Sequence, residues 1–228
     1  MKLGVISDVH ANASALEAVL YQLRRRGVDQ IVCAGDLVGY YPQAERAIRL
    51  LQIADVDCVM GNHDEAVLGS TPTEFNIYAK RAVDWTRRNI SEDSREFLKS
   101  LPLDLNMSLT GEDIYIVHGS PREPTKEYVL EEQVSSDFLD YHFENKPDIL
   151  ILGHTHQSFI KQVEGTLILN PGSVGQPRDG NPMSSYAMVD VSEKIAKIYR
   201  VEYDIESVYQ ETMEYLPRKL ADRLKKGK

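Results

Sequence analysis

The sequence predicts an α/β fold in which parallel strands alternate with helices. Apolar runs at 3–7 and 31–34 are short enough for buried strands, and between them the apolar residues of 12–26 recur at helical spacing. The order strand, helix, strand favours a parallel crossover. Each apolar run is followed by polar residues, and parallel strands bring their carboxyl ends to the same edge of a sheet. We therefore expect a site at that edge.

The amino-terminal third predicts three strands, and each ends in a polar cluster. Asp8 and His10 follow the first strand; two residues apart in an extended chain, they are expected to point the same way. Asp36 follows the second strand. The third strand, 56–60, leads into a short loop, Gly61-Asn62-His63-Asp64. One such ending is ordinary turn chemistry, but three in succession indicate a functional site.

The rest of the chain predicts a second set of strands with helices around them. The predicted elements are helices within 65–100, a strand at 103–109 that returns at 114–117 to His118, an insertion near the site or a surface helix at 120–147, a strand at 148–152 before His154 and His156, a hairpin at 159–169, an irregular loop at 170–180, strands at 185–191 and 195–203, a helix at 204–216 and a solvated basic tail at 217–228. No linker or repeat divides the chain, so a single domain spanning 1–228 is expected.

Composition limits the possible partners. The chain of 228 residues has a net charge of −9, which argues against nucleic acid as a main partner. The amino-terminal apolar run is too short for a signal peptide, and no segment is long enough to cross a bilayer, so we expect a cytoplasmic protein without a membrane partner. Cys33 and Cys58 lie in apolar runs and are expected in the core. A homo-oligomer is compatible with the sequence.

The histidines point to metal chemistry. Five of the six follow strands, and only His142 lies elsewhere, where we expect a surface or structural role. The candidate ligands at the strand ends are Asp8, His10, Asp36, Asn62, His118, His154 and His156, with His63 left over. This set is too large for one metal and suits two divalent ions with a bridging Asp.

The charges in such a site suit an anionic substrate. Two divalent ions, two carboxylates and a bridging hydroxide leave a small net positive charge, which favours a phosphoryl group. A metal-bound water ionises near neutral pH and is a strong nucleophile. Nitrogen and oxygen ligands without thiolates favour manganese, iron, cobalt, nickel or catalytic zinc, and manganese is the preferred candidate.

These motifs, in this order, resemble the full motif set of the calcineurin-like metallophosphoesterase superfamily, and the chain looks most similar to its small single-domain prokaryotic phosphodiesterases. The resemblance covers residues 3 to about 175. It implies a four-layer α-β-β-α sandwich of two mixed sheets flanked by helices. It further implies that Asp8, His10 and His156 hold the first metal, that Asn62, His118 and His154 hold the second, and that Asp36 bridges the two. The resemblance also implies that His63, with Asp64 behind it, protonates the leaving oxygen or stabilises the transition state.

Two further residues are candidates for substrate binding. Arg178 lies in a Gly-rich loop that could bring its guanidinium to a phosphate, but a surface position is equally compatible with the sequence. Tyr40 could stack on a nucleobase, whereas packing at the core or rim is the simpler interpretation.

The resulting hypothesis is a dinuclear-metal-dependent phosphoesterase that hydrolyses a small phosphodiester by attack of a metal-bridging hydroxide. A nucleotide derivative is one candidate substrate. A phosphomonoester or a dinucleoside polyphosphate is the enzymatic alternative. The non-enzymatic alternative is a protein-binding scaffold on the same fold, and a nuclease is disfavoured by the acidic charge.

Overall fold

The computed structural model describes residues 1–228 as two five-stranded sheets with eight α-helices and one short 3₁₀ helix, which confirms the predicted α/β class. The strands are β1 (Lys2–Ile6), β2 (Gln30–Cys33), β3 (Asp57–Cys58), β4 (Asp104–Leu109), β5 (Glu112–Val117), β6 (Ile149–Ile151), β7 (Phe159–Val163), β8 (Thr166–Asn170), β9 (Ser184–Asp190) and β10 (Ile195–Val201). The helices are α1 (Ala13–Arg25), α2 (Ala44–Ile53), α3 (Asn62–Leu68), α4 (Ile77–Asn89), α5 (Glu92–Ser100), α6 (Ser136–His142), α7 (Ile205–Tyr215) and α8 (Arg218–Lys226), with the 3₁₀ helix at Glu131–Gln133. None of these helices combines the length and apolar composition needed to cross a membrane.

Both sheets are mixed. The first has the order β10-β9-β1-β2-β3, in which β1, β2 and β3 are parallel and β9 and β10 are antiparallel additions. The second has the order β4-β5-β6-β8-β7, in which β5, β6 and β8 are parallel. The six parallel strands all lead towards the same edge of the sandwich, and the loops that follow them carry the candidate ligands.

Three apolar clusters hold the four layers together. One fills the space between the sheets and joins Leu3 and Val5 of β1 to Ile114 and Ile116 of β5. The largest cluster lies on the other face of the first sheet, beneath α1 to α5, α7 and α8. The third packs α6 and the segment before it onto the outer face of the second sheet. The α-β-β-α sandwich is thereby confirmed.

Alternation along β1 shows how the strand serves two layers. Leu3 and Val5 face the second sheet, whereas Ile6 joins the helical side. Gly4 shares that helical side, and a Cβ there would lie 3.0 Å from a methyl of Leu23 on α1. The glycine therefore lets α1 pack closely against the strand, and this packing fixes where the loop between β1 and α1 begins.

The short loop predicted at residues 61–64 is instead the start of a helix. Asn62, His63 and Asp64 form the first turn of α3, with Gly61 as the N-cap. The carboxylate of Asp64 accepts a hydrogen bond from the Gly61 N–H at 2.9 Å. A side chain at this position that satisfies a free backbone donor stabilises the helix start.

The predicted solvated tail is also wrong. Residues 218–226 form α8, and Leu220, Ala221 and Leu224 are buried against the largest apolar cluster. Their spacing places them on one helical face, which the many basic residues around them obscure in the sequence.

The segment 120–147 was expected to be either an insertion near the site or a surface helix, and it contains both. Its first part borders the site, and its second part contains the surface helix α6.

Candidate metal centre

The fold brings all the predicted ligands together. Their donor atoms form three overlapping groups, and within each group the atoms lie within 4.8 Å of one another: Asp8, His10 and His156; His10, Asp36 and His63; and Asp36, His118 and His154. His142 lies apart on α6, as the sequence predicted. The centre can be described as two halves that meet at Asp36.

We call Asp8, His10 and His156 the enclosed half, because their side chains are at most 2% exposed. The Nε2 atoms of His10 and His156 are 3.0 Å apart. Asp8 Oδ1 lies 3.2 Å from His156 Nε2 and 3.7 Å from His10 Nε2. The other oxygen, Oδ2, accepts hydrogen bonds from Ser7 Oγ and from the His154 N–H. Asp8 Oδ1 is therefore the oxygen that faces the two imidazoles.

We call Asn62, His118 and His154 the open half, because Asn62 and His154 line a surface cleft. His118 Nε2 is 3.2 Å from Asn62 Oδ1 and 3.1 Å from His154 Nδ1. A carbonyl oxygen and a second ring nitrogen thus both lie close to His118 Nε2. This is a donor set that divalent transition metals accept.

Asp36 lies between the halves and contributes one oxygen to both. Its Oδ2 is 3.5 Å from His10 Nε2 and 3.5 Å from His118 Nε2. Its Oδ1 accepts a hydrogen bond from the His63 N–H at 2.8 Å. Asp36 Oδ2 is therefore the oxygen that faces imidazoles of both halves.

Backbone carbonyls orient the four candidate imidazole ligands. The ring nitrogen that faces away from the centre contacts the carbonyl oxygen of Val38 for His10, of Ala34 for His118, of Lys126 for His154 and of Gln176 for His156. A ring N–H donated to a carbonyl fixes the tautomer and leaves the other nitrogen free to bind a metal. No sequence pattern indicates these carbonyls, since any residue type supplies one.

The sequence predicted an extended backbone at Asp8 and His10. The structure shows a different backbone conformation at the centre. Asp8, His10, Asp36, His154 and His156 all have φ between 49° and 67°. This left-handed conformation is uncommon for non-glycine residues and costs about 1–2 kcal/mol each. Asp8 and His10 converge because of this compact turn, not because they alternate along a strand. Surrounding structure must hold such a turn in place.

Glycine allows the loops to approach the centre closely. A Cβ on Gly61 would collide with both the carboxylate and the backbone nitrogen of Asp36. A Cβ on Gly39, which has φ of 90°, would collide with the His63 ring. Any other residue at either position would displace a candidate site residue.

Burial and the interactions among the candidate ligands shift the pKa values of their side chains. Burial raises the pKa of Asp8, but electrostatic attraction to His156 and His118 outweighs this effect and holds that pKa below its usual value. Burial lowers the pKa of His118, but Asp36 outweighs it and raises that pKa to about 9. Burial also lowers the pKa of His154, to about 3. The centre thus holds two carboxylates beside imidazoles that are mostly neutral.

These observations fit a pair of metal ions. Asp8 Oδ1 is a buried carboxylate oxygen without a hydrogen-bond partner. The Nε2 atoms of His10 and His156, whose pKa values are both lowered chiefly by burial, face each other 3.0 Å apart, and a cation bound by both would replace repulsion by coordination. At His118 the ion would take the place of a proton.

His63 and Asp64 have different surroundings from those implied by the family resemblance. His63 is buried, and its Nδ1 lacks a hydrogen-bond partner. The Asp64 carboxylate does not contact that ring; it accepts hydrogen bonds from the N–H groups of Leu37, Val38 and Gly61. Asp64 therefore holds the loop after Asp36 in place. The rings of Tyr40 and Phe75, 4.5 and 4.7 Å from that of His63, position the imidazole instead.

Arg178 reaches the centre. Its Nη2 donates a hydrogen bond to the Tyr40 hydroxyl at 3.2 Å, and its charge lowers the pKa of both His63 and His156, where burial is the larger cause. Tyr40 is buried and packs edge-on against His10 with ring centroids 4.6 Å apart. Packing, which the sequence favoured for Tyr40, is what the structure shows.

Phe75 and Tyr128 contact histidines of the centre and were not among the predicted site residues. Phe75 was assigned to a helix, but it lies in the loop before α4, beside His63. Tyr128 stacks on His154, with ring centroids 3.8 Å apart. Neither residue belongs to a motif, so only their presence in the weakly patterned segments 65–75 and 120–147 could have marked them.

A family model for the calcineurin-like phosphoesterase superfamily domain matches residues 1–194. An uncharacterised protein of Methanocaldococcus jannaschii is 37% identical over 99% of this chain and 98% of its own length. Phosphodiesterase YfcE of Escherichia coli is 26% identical over 83% of this chain and 88% of its own. A metallophosphoesterase crystal structure from Sphaerobacter thermophilus superimposes with a TM-score of 0.84 at 34% identity and covers 100% of this chain and 99% of its own.

Proposed function

This chain belongs to the calcineurin-like phosphoesterase superfamily, and we propose that it is a dinuclear-metal-dependent phosphodiesterase that acts on small phosphodiesters. The observation that carries the proposal is the position of Asp36 Oδ2, which is equally distant from His10 Nε2 and His118 Nε2. One oxygen shared by two ligand groups suits two adjacent ions. The similarity to a protein named phosphodiesterase supports the diester.

The residues would divide between the ions according to the two halves. Asp8, His10 and His156 would hold one ion, and Asn62, His118 and His154 the other, with Asp36 shared. When bound, two divalent ions lower the pKa of water from 15.7 towards about 7 and stabilise charge on a phosphoryl group. Manganese is the preferred candidate because the donors are nitrogen and oxygen only, and iron, cobalt, nickel and zinc accept the same donors.

His63 would contact the reacting phosphate. It lines the cleft beside the open half, and burial lowers its pKa to about 4. At neutral pH the ring is uncharged, so it would donate an N–H hydrogen bond to a phosphoryl or leaving oxygen. This role corresponds to stabilising the transition state, the second of the two roles implied by the family resemblance.

Arg178 would bind a phosphate oxygen from the side of the enclosed half. Its guanidinium is held by the Tyr40 hydroxyl and lies close enough to His63 and His156 to lower their pKa values. A planar cation with several donors suits a phosphate, and pre-positioning it reduces the entropy lost on binding.

The test is hydrolysis of bis(p-nitrophenyl) phosphate and of p-nitrophenyl phosphate by chelated protein that has been given manganese. We expect manganese-dependent turnover with a higher kcat/KM for the diester. A His118→Asn variant should lose this turnover, whereas His142→Asn, which changes the histidine outside the centre, should keep it. Preference for the monoester would overturn the diesterase proposal in favour of a phosphatase. Bound metal without turnover of either ester would favour the scaffold alternative.

A further inference from the structure

A cleft of about 260 Å³ opens beside the open half, and the metal centre does not account for the residues on its far side. Asn62, His63 and His154 form the wall nearest the centre. Phe75 and Tyr128 contribute two aromatic rings to the remaining walls. A phosphate held at the centre would therefore direct one of its ester substituents into an aromatic-lined space.

Both aromatic rings are anchored on imidazoles of the centre. Tyr128 lies against His154 with ring centroids 3.8 Å apart and planes 18° apart. Phe75 lies against His63 with ring centroids 4.7 Å apart and planes 36° apart. Stacking occupies one face of Tyr128, yet the residue remains 50% exposed, which is unusual for a large aromatic side chain that has a packing role. A free aromatic face beside a reaction centre is a surface on which a planar group can stack.

The rim of the cleft offers two charged side chains that make few or no hydrogen bonds within the fold. Lys126 makes neither a hydrogen bond nor an ion pair through its ammonium group, and its backbone carbonyl is already committed to His154. The Glu74 carboxylate receives only the hydroxyl of the adjacent Thr73, at 3.3 Å. One donor and one acceptor therefore flank the aromatic rings.

We propose that this cleft binds a nucleobase, so that the substrate is a nucleoside phosphodiester. The proposal rests on the phosphodiesterase function proposed above and names its substrate class. A nucleobase has the two properties that the cleft complements, a planar π face and an edge with donors and acceptors. An aliphatic alcohol has neither. The acidic net charge of −9 disfavours a nucleic-acid polymer as the substrate.

The first test compares two esters that share a leaving group. Thymidine 5′-(p-nitrophenyl phosphate) carries a base, and ethyl p-nitrophenyl phosphate does not. We expect the manganese-loaded protein to prefer the thymidine ester by about tenfold or more in kcat/KM, because stacking of a base on an aromatic side chain contributes at this level. In Phe75→Leu and Tyr128→Leu the preference should fall below about threefold.

Tyr141→Leu is the matched control. Tyr141 is a more exposed tyrosine, on α6 and outside the cleft, and both rates should be unchanged. The preference, not either rate alone, is the decisive quantity, since Phe75 and Tyr128 also support histidines of the centre. A proportional fall in both rates would mean that these rings only pack against the histidines, and it would overturn the proposal.

A binding measurement separates this inference from the proposed function. Calorimetric titration of the manganese-loaded protein with thymidine 5′-monophosphate and with ribose 5-phosphate should show tighter binding of the nucleotide, and Tyr128→Leu should abolish the difference. Turnover of both esters with equal kcat/KM and equal binding of the two phosphates would overturn the nucleobase site alone. Absence of turnover together with tighter nucleotide binding would overturn the proposed reaction but support the site.

Discussion

The two halves of the candidate centre use similar residue types in different surroundings. No member of the enclosed half lines the cleft, whereas Asn62 and His154 of the open half do. The backbone differs as well. Asp8, His10 and His156 all have positive φ, but in the open half only His154 does. More residues of the enclosed half than of the open half thus have a strained backbone.

This difference indicates that the enclosed half depends more on the surrounding fold, whereas the open half faces the substrate. Strained residues keep their conformation only when surrounding structure holds them, so the enclosed half must be coupled to folding. The loop of Asp8 is held by Ser173, whose hydroxyl donates to the Asp8 carbonyl, and by Gly175, whose N–H donates to the same oxygen. The open half has one residue with positive φ and faces the space where substrate would arrive. Mutations should therefore affect the halves differently.

The largest effect is expected where the halves meet. Asp36→Asn removes a negative charge from the oxygen that both halves share, so kcat for bis(p-nitrophenyl) phosphate should fall by about 10³-fold. Metal content measured by mass spectrometry should fall at the same time. Asp57→Asn, on the neighbouring strand and hydrogen-bonded only at the surface, is the control. Wild-type kcat in Asp36→Asn would show that the halves act independently.

Gly61 tests whether close backbone approach positions the shared carboxylate. Gly61→Ala places a Cβ against Asp36 and should lower kcat by about 10²-fold, with a loss of about 1–3 kcal/mol in the free energy of unfolding. Gly69→Ala is the matched control at the other end of α3, where the nearest atom would be 3.5 Å away in ordinary contact. Both quantities are measured by steady-state kinetics and urea unfolding. Equal behaviour of the two variants would rule out steric positioning by Gly61.

One pair of variants tests the comparison directly. His156→Asn leaves the buried Asp8 carboxylate without its nearest imidazole and should lower the free energy of unfolding of the metal-free protein by about 2 kcal/mol. His154→Asn should cost less than about 1 kcal/mol, because water from the cleft can occupy the vacated space. Both should lower manganese affinity at least about tenfold. Urea unfolding and metal titration check these values, and equal losses of stability would contradict the division into halves.

The sequence identified the centre because its chemistry resides in residue types placed after strands. Apolar runs locate strand ends within a few residues, and Asp, Asn and His directly after them are visible without a structure. The left-handed turns at Asp8 and His154 were not predictable, since neither position is itself a glycine and no local motif marks a positive φ there. The carbonyl partners of the imidazoles were equally hidden, because Ala34 and Gln176 become neighbours of His118 and His156 only through tertiary packing.

Two of the differences from the predictions have simple physical explanations. The family resemblance implied that Asp64 lies behind His63, but the helical turn directs the Asp64 carboxylate towards Leu37 and Val38. Residues 217–228 were expected in solvent because charge dominates their composition. The small apolar stripe of α8 is sufficient to dock it, since α7 and the main apolar cluster supply a complementary surface.

A smaller effect is expected at Arg178, which lies beside the enclosed half. Arg178→Ala should lower kcat/KM for bis(p-nitrophenyl) phosphate about tenfold, mainly through KM, because a pre-positioned cation for phosphate is lost. Arg178→Lys should recover only part of this, since an ammonium group cannot reproduce the planar donors. Arg88→Ala, an exposed arginine of α4, should have no effect. If Arg178→Ala leaves KM unchanged, Arg178 has only the structural contact with Tyr40.

The smallest effect should come from α8, through the contact of Arg223 with Tyr40. The Arg223 guanidinium lies over the Tyr40 ring, 5.7 Å from its centroid, and Tyr40 in turn packs on His10. Loss of a cation–π contact costs about 0.5–1 kcal/mol, so Arg223→Gln should lower kcat/KM by about two- to fivefold. Arg218→Gln, on the same helix with a side chain 73% exposed, should change nothing. Manganese affinity is measured by titration. Equal affinity in both variants would show that α8 supports the fold without influencing the enclosed half. Weaker affinity in Arg223→Gln alone would show that α8 contributes to the position of His10.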